Sequence, residues 1–422
     1  MERKKKMSTL IIITRYFFLV FIFSLLIYSC SEKNLNSSSA QTEEYYFSKV
    51  FGEYDAEMGY SIHSTNDNGY IISGATSSYW ATDSLPARIL EPAHGVTDAI
   101  IAKVDRNGDY EWVKTYGGEN YESAFNAKQT EDGGFIFMGY TASYGLGLYD
   151  FWLVKLDQNG SILWQKTYGD ANSNIGLYGD ICSDNGFVLV GSTVPEGRND
   201  RDIWLIKTDL NGDIEWSQTY GDSSIQSGSY LKQTQDDGFI ILGSSLKTET
   251  QTDINIIKVD EKGIVQWQKQ IVYAGNDVPY AIKEDDNGYV VAATTTSLGA
   301  GDKDIFLIKL DQSGTIIWER TYGGAESEYG FDVFPGDDGY VVVGSTSSFG
   351  TMFYDIWILK VDFNGEEIWN QIFSGENIDI GRAIIGHKSG GYTVLAQTSS
   401  YGAGEYDFWI LKLNENGIVP EN

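Results

Sequence analysis

Tyr149-Asp150-Phe151-Trp152-Leu153-Val154-Lys155-Leu156-Asp157-Gln158-Asn159-Gly160-Ser161-Ile162-Leu163-Trp164-Gln165-Lys166-Thr167-Tyr168-Gly169 is two apolar runs joined by Asp-x-Asn-Gly, the chemistry of a tight antiparallel hairpin. Nearly the same words recur around Trp112, Trp216, Trp267, Trp318 and Trp369. With Trp164 included, successive tryptophans lie 52, 52, 51, 51 and 51 residues apart. A period of about 50 residues marks a repeat architecture.

Aligning on the aspartate that opens the stretch gives Asp98, Asp150, Asp202, Asp253, Asp304, Asp355 and Asp407, hence seven copies. A lysine follows each five residues later: Lys103, Lys155, Lys207, Lys258, Lys309, Lys360 and Lys412. Upstream lies a second hairpin with an Asp-Gly-type turn, as at Asp132-Gly133-Gly134, Asp237-Gly238 and Asp338-Gly339, followed by an aromatic and a β-branched run such as Tyr340-Val341-Val342-Val343-Gly344. Four short strands per repeat with no helical period between them make an antiparallel sheet. Sheets apolar on both faces need a neighbour on each side, and a closed ring provides it. The expected fold is all-β: a seven-bladed β-propeller of four-stranded antiparallel blades.

The chain ends support closure. The seventh repeat stops at Asn416-Gly417-Ile418-Val419-Pro420, before its tryptophan strand. Tyr46-Phe47-Ser48-Lys49-Val50-Phe51-Gly52 reads like Trp164-Gln165-Lys166-Thr167-Tyr168-Gly169, with Phe47 in the tryptophan position. An N-terminal strand at 44–51 is therefore expected to complete the last blade of a propeller spanning 44–422.

The string Lys207-Thr208-Asp209-Leu210-Asn211-Gly212-Asp213-Ile214-Glu215-Trp216, found in every repeat in some form, resembles the tryptophan-docking repeat of quinoprotein-type propellers, one residue shorter. The resemblance implies packing, with the tryptophan strand outermost, and no quinone site is carried over. Large aromatics recurring at a structural period read as core. Ten of the eleven tryptophans do so: six in the docking column, and Trp152, Trp204, Trp357 and Trp409 in Asp-x-Trp. Asp and Lys present in every blade read as hydrogen-bonding partners of turns and strand ends.

Residues 1–29 read as a signal peptide. Arg3, Lys4, Lys5 and Lys6 precede an apolar run from Tyr16 to Tyr28, shorter than the roughly 20 residues of a membrane-spanning helix. An uncleaved anchor is the alternative. The run ends in Leu26-Ile27-Tyr28-Ser29-Cys30, which resembles the lipobox of bacterial lipoproteins and implies acylation, such as by palmitate, at Cys30. Residues 30–43 are polar enough to be a flexible tether. Ser31 and Glu32 resemble the export signals of Bacteroidota surface lipoproteins, and the repeats resemble those of propeller lipoproteins from that group. The implied location is the bacterial outer membrane, lipid-anchored and facing the periplasm or the outside.

The formal net charge is −29, and −33 once residues 1–29 are removed, which leaves 25 basic against 58 acidic residues. Such a surface repels phosphate backbones and argues against nucleic acid as a partner. Cys30 and Cys182 are the only cysteines; with Cys30 acylated, Cys182 has no intrachain partner and stability rests on packing. A monomer is expected.

Catalytic patterns are sparse. His63, His94 and His387 occupy unrelated repeat positions, and there is no His-x-x-x-His, Cys-x-x-Cys, Gly-x-Ser-x-Gly or phosphate loop. Asp105-Arg106-Asn107-Gly108-Asp109 starts like a calcium loop, but a strand resumes where further oxygen ligands would be needed, so a hairpin turn is the favoured reading. No cofactor is expected; Ca2+ between acidic loops stays open.

A specific site should break the repeat. Gly74 to Asp98 spans 24 residues where Gly139 to Asp150 spans 11, and the insertion carries Tyr79, Trp80, Arg88 and His94. Long loops on rigid scaffolds are where binding resides; a lid packed on the rim is the structural alternative. Tyr144, Phe349 and Tyr401 sit in loops that leave the same face. These seven residues are the candidate binding set. The expected function is non-catalytic recognition of a glycan or protein through the loop face. The alternatives are a carbohydrate-active, glycoside-hydrolase-like enzyme with carboxylates in the central channel, or a purely structural envelope component.

Overall fold

At the turn that follows the third strand of each blade the chain needs a residue with positive φ, and Gly108, Gly160, Gly212, Gly263, Gly314, Gly365 and Gly417 supply it, at φ between 72° and 80°. In the first of these turns Asp105 Oδ1 accepts the N–H groups of Asn107 and Asp109, at 2.8 and 2.9 Å, so the Asp-x-Asn-Gly string builds a hairpin.

The architecture was read from a computed structural model, which describes residues 45–52, 56–77, 96–222, 224–248 and 251–420. The chain divides into Met1–Tyr45 and Tyr46–Asn422. Among the described residues, the second unit holds 28 strands in seven four-stranded antiparallel sheets, numbered here as blades 1 to 7 in chain order. Each blade begins with its inner strand: β2 (Glu57–Ser64), β6 (Glu122–Gln129), β10 (Ile175–Ile181), β14 (Ile225–Gln233), β18 (Asp277–Asp285), β22 (Glu328–Gly336) and β26 (Asp379–Gly386). Neighbouring inner strands touch all the way round, β26 returning to β2, which makes the ring of a seven-bladed propeller.

Closure follows the expected register. β1 (Phe47–Phe51) pairs antiparallel with β28 (Asp407–Leu413), placing Phe47 opposite Lys412 as Trp112 lies opposite Lys103 and Trp164 opposite Lys155. Ser48 Oγ accepts from Trp409 Nε1 at 2.8 Å. An N-terminal strand therefore supplies the outer edge of the last blade.

Tryptophan docking is a contact between blades. Trp112 stands edge-on to Phe135 of the next blade at 5.5 Å, and a Cβ added to Gly160 would lie 3.0 Å from its ring. The same pairing links Trp164 to Phe187, Trp216 to Phe239, Trp267 to Tyr289, Trp318 to Tyr340 and Trp369 to Tyr392, with ring centroids 6.0–6.2 Å apart. Four tyrosines at the ends of outer strands bind the carbonyl of the same glycine: Tyr116 to Gly160, Tyr168 to Gly212, Tyr220 to Gly263 and Tyr322 to Gly365, at 2.6–2.7 Å. Phe47 repeats the contact at the closing seam, where a Cβ on Gly108 would meet its ring at 2.5 Å.

At the same end of blades 1 to 6, buried lysines staple the turn between the first and second strands to the end of the third. Lys103, Lys155, Lys207, Lys258, Lys309 and Lys360 reach Asp67, Asp132, Asp184, Asp236, Asp285 and Asp338 at 2.7–2.9 Å. Burial opposes ionisation of Asp132, but hydrogen bonds from Thr130 and Lys155 outweigh it and bring the carboxyl down to about 2. Cys182 is a buried free thiol pushed up to about 12 by its burial, so it stays protonated and unreactive.

Phe47→Ala is expected to cost about 3 kcal/mol, as for other buried Phe→Ala changes, read as a lower denaturant midpoint. Removing residues 44–52 should replace the single unfolding transition with a broad one. A truncated chain that melts as sharply as the parent would contradict closure through β1.

Candidate functional site

Two features interrupt the seven-fold pattern, the loop face and the axial channel. The loop face is where the second and third strands of each blade connect, and its backbone is held by buried acids. Asp150 Oδ2 accepts the N–H groups of Leu146 and Gly147, at 2.8 and 3.0 Å, and Asp407 Oδ2 those of Ala403 and Gly404. Glu122 adds bonds from Gly118, Ala142 and Ser143, which ties this loop to the one arriving from the preceding blade. The aspartate column recognised in the sequence thus fixes the loops that could bind.

Tyr144, Phe349 and Tyr401 each lean on the Asp-x-Trp tryptophan of their own blade: Trp152 at 5.8 Å, Trp357 at 5.4 Å and Trp409 at 5.1 Å. The hydroxyl of Tyr144 donates to Gly117 O and that of Tyr401 to Ser374 O, at 2.6 and 2.9 Å. All three keep an exposed edge while doing this packing. The face also leaves Leu146, Leu148, Met352 and Phe353 in solvent, the first three at 80, 73 and 87 % exposure. Blades 6, 7, 1 and 2 are consecutive in the ring, so these side chains flank blade 1, whose connection contains the insertion. Tyr79, Trp80, Arg88 and His94 lie outside the described residues, as does Cys30. Beyond the insertion, Val96 N–H donates to Asn120 O at 3.1 Å, so its end meets the loop leading into blade 2.

The channel owes its walls to a bulge repeated in all seven inner strands, between Gly59 and Ser61, Ala124 and Asn126, Gly176 and Tyr178, Gly228 and Tyr230, Pro279 and Ala281, Gly330 and Asp332, and Gly381 and Ala383. The extra residue in each is Tyr60, Phe125, Leu177, Ser229, Tyr280, Phe331 or Arg382, and together they line a cavity of about 310 Å³. Tyr60 and Phe125 lie 4.8 Å apart; Phe331 has Tyr280 edge-on at 4.8 Å and the Arg382 guanidinium over its face at 4.5 Å. Burial pushes the Tyr60 and Tyr280 hydroxyls up to about 12, leaving them neutral donors.

Deeper in the channel is a polar tier. Asp180 takes Lys128 and Lys232, at 2.5 and 3.1 Å, and Asp332 takes Lys283 at 3.0 Å. Lys283 also donates to the hydroxyl of Tyr230, whose ring stacks on Tyr178 at 4.1 Å. Burial alone would raise Asp180; the two lysines outweigh it and hold the carboxyl well below the usual range. Asn126 Nδ2 donates to Gly179 O at 2.7 Å, which turns Asn126 Oδ1 toward His63 Nε2, also at 2.7 Å, so the neutral imidazole carries its proton on Nε2. Burial, helped by the Lys128 charge, lowers His63 to about 3. Among the described residues no group of three or more His, Cys, Asp and Glu is placed to hold a metal ion.

The channel tier carries no motif, because its residues differ from blade to blade while the tryptophan, aspartate and lysine columns repeat. An alignment of the inner strands reads Tyr, Phe, Leu, Ser, Tyr, Phe and Arg at one level, and the cation in an aromatic column was the available signal.

No family model and no curated protein matches the chain. Solved structures do. A protein of unknown function from Dyadobacter fermentans DSM 18053 aligns with TM-score 0.50 and 10% identity, over 87% of this chain and 98% of that one. Puromycin hydrolase, as an S511A mutant complexed with PGG, aligns with TM-score 0.53 and 11% identity, over 85% of this chain and 52% of the hydrolase. BBS1N in complex with ARL6DN aligns with TM-score 0.49 and 9% identity, over 86% of this chain and 95% of that one. Likeness at these identities is to the fold alone.

His63 yields a pH prediction. Between about pH 6.5, its ordinary value, and about pH 3, the unfolded chain binds a proton that folded His63 refuses, so stability falls as pH falls through that window. His63→Gln should flatten the fall, most cleanly between pH 6.5 and 5, above most carboxylate titrations. Parallel denaturant midpoints for parent and variant across that interval would contradict the assignment.

Proposed function

We propose that the chain is a non-catalytic recognition module, a binding or scaffold propeller that holds a protein or glycan partner on its loop face. The observation that carries the reading is the solvent exposure of Leu146, Leu148 and Met352 on loops whose backbones are tied to the buried carboxylates of Asp150 and Asp355. Apolar side chains left in water on a rigid frame mark an interaction surface, and aliphatic tips favour a protein partner there over a sugar. In the same reading the module is a lipoprotein of the Bacteroidota type, held at the outer membrane through acylated Cys30 and its polar tether.

The channel carboxylates favour recognition over glycoside hydrolysis. A general acid must carry a proton near neutral pH. Asp180 is instead ion-paired and held well below the usual carboxylate range, and Asp332 is paired with Lys283.

Leu146→Asp combined with Met352→Asp should leave the thermal midpoint within about 2 °C of the parent, as surface changes do, while abolishing capture of partners in pull-down and glycan-array assays. Recovery of the same partners by both proteins would remove this face from consideration. Cys30→Ser should move the protein from the membrane fraction to the soluble fraction; retention in the membrane would sink the lipid anchor.

A further inference from the structure

Among the seven bulge residues Arg382 alone is charged, and its surroundings leave that charge unbalanced. Its Nε donates to Gln397 Oε1 at 2.9 Å and its plane covers Phe331, but no carboxylate among the described residues pairs with it. Of the other charged groups lining the cavity, Lys283 and Asp332 neutralise each other, and the neutral His63 contributes nothing. A chain of net charge −29 thus presents an unpaired guanidinium to its own axis. Gln397, only 2% exposed, also has an unused donor, because its Nε2 finds no partner. A half-buried guanidinium with no carboxylate paired to it is a group that an anion in the cavity would neutralise.

The walls narrow the chemistry. The rings of Tyr60, Phe125 and Tyr280 give the wall an aromatic surface for a flat or chair-shaped ring, and the hydroxyls of Tyr60, Tyr280 and Ser229 border the same cavity, in reach of substituents on it. The volume, about 310 Å³, lies at the lower end of small-molecule sites, which run from about 300 to 1,000 Å³, so one ring fits and a polymer does not. We propose that the axial cavity binds a small sugar acid of the hexuronate class, its carboxylate on the Arg382 fork and its ring against the aromatic tier. Guanidinium and carboxylate match in a bidentate pair that a lysine cannot reproduce. This site is separate from the loop face, and neither depends on the other.

The test is isothermal titration calorimetry of the purified protein with galacturonate and glucuronate, against glucose, benzoate and inorganic phosphate. Saturable binding of at least one uronate is expected, at least tenfold tighter than glucose and weakened by added salt. Arg382→Gln should reduce it at least tenfold, and so should Arg382→Lys, which keeps the charge and serves if the glutamine variant does not fold. The Leu146→Asp, Met352→Asp protein should bind the uronate as the parent does. Absence of uronate binding by the parent, or undiminished binding by a folded Arg382 variant, would overturn the proposal. Phosphate binding as tightly as the uronates would overturn the carboxylate assignment, and equal binding of benzoate would overturn the sugar.

Discussion

The structure depends on one contact made seven times: an aromatic ring from the outer strand of one blade laid on a positive-φ glycine of the next, with an aromatic residue of that next blade beside it in six of the seven seams. It satisfies two demands together. The glycine lets the hairpin turn, and the missing Cβ leaves room for the ring, with Gly160 and Trp112 as the example. Because no disulfide is present among the described residues, these seams and the apolar strand faces between them hold the ring together. Phe47 shows how far the rule extends, since the closing seam uses a different aromatic from the far end of the polypeptide and keeps the same register.

Charged residues divide the remaining work by position. Lysines under the outer hairpins pin the turns on one side of the ring, and aspartates at the starts of the third strands pin the loops on the other. These groups are buried on the blade, with Lys155 paired to Asp132 and Asp150 accepting backbone N–H groups through Oδ2, contacts that offset part of the cost of burying a charge. The predominantly acidic exterior and the cationic channel are therefore separate features of one molecule.

Most of the fold was legible because it repeats. A residue required by every blade recurs at the same place in each repeat, seven times for the aspartate and lysine and six for the tryptophan, so Asp98, Lys103 and Trp112 announce themselves through Asp150, Lys155 and Trp164 and their later equivalents. The same logic hides a site, which needs residues that differ between blades. Tyr144, Phe349 and Tyr401 read in the sequence as exposed aromatics beside glycine, yet each also packs on its own blade's tryptophan, a contact that depends on a side-chain direction no spacing encodes. Arg382 is harder to read for a different reason: its neighbours in sequence, Gly381 and Ala383, carry no motif, and the bulge sets it at the level of the channel-lining residues.

The recurrent bulge has a consequence for how this molecule can change. An extra residue inserted at the same level of every inner strand points away from the seams, so its identity is decoupled from whatever holds neighbouring sheets together. Tyr, Phe, Leu, Ser and Arg all occupy that level in a single chain without disturbing the ring. The lining of the pore is thereby a replaceable inner surface, and seven substitutions could rewrite its chemistry while the girders stay as they are.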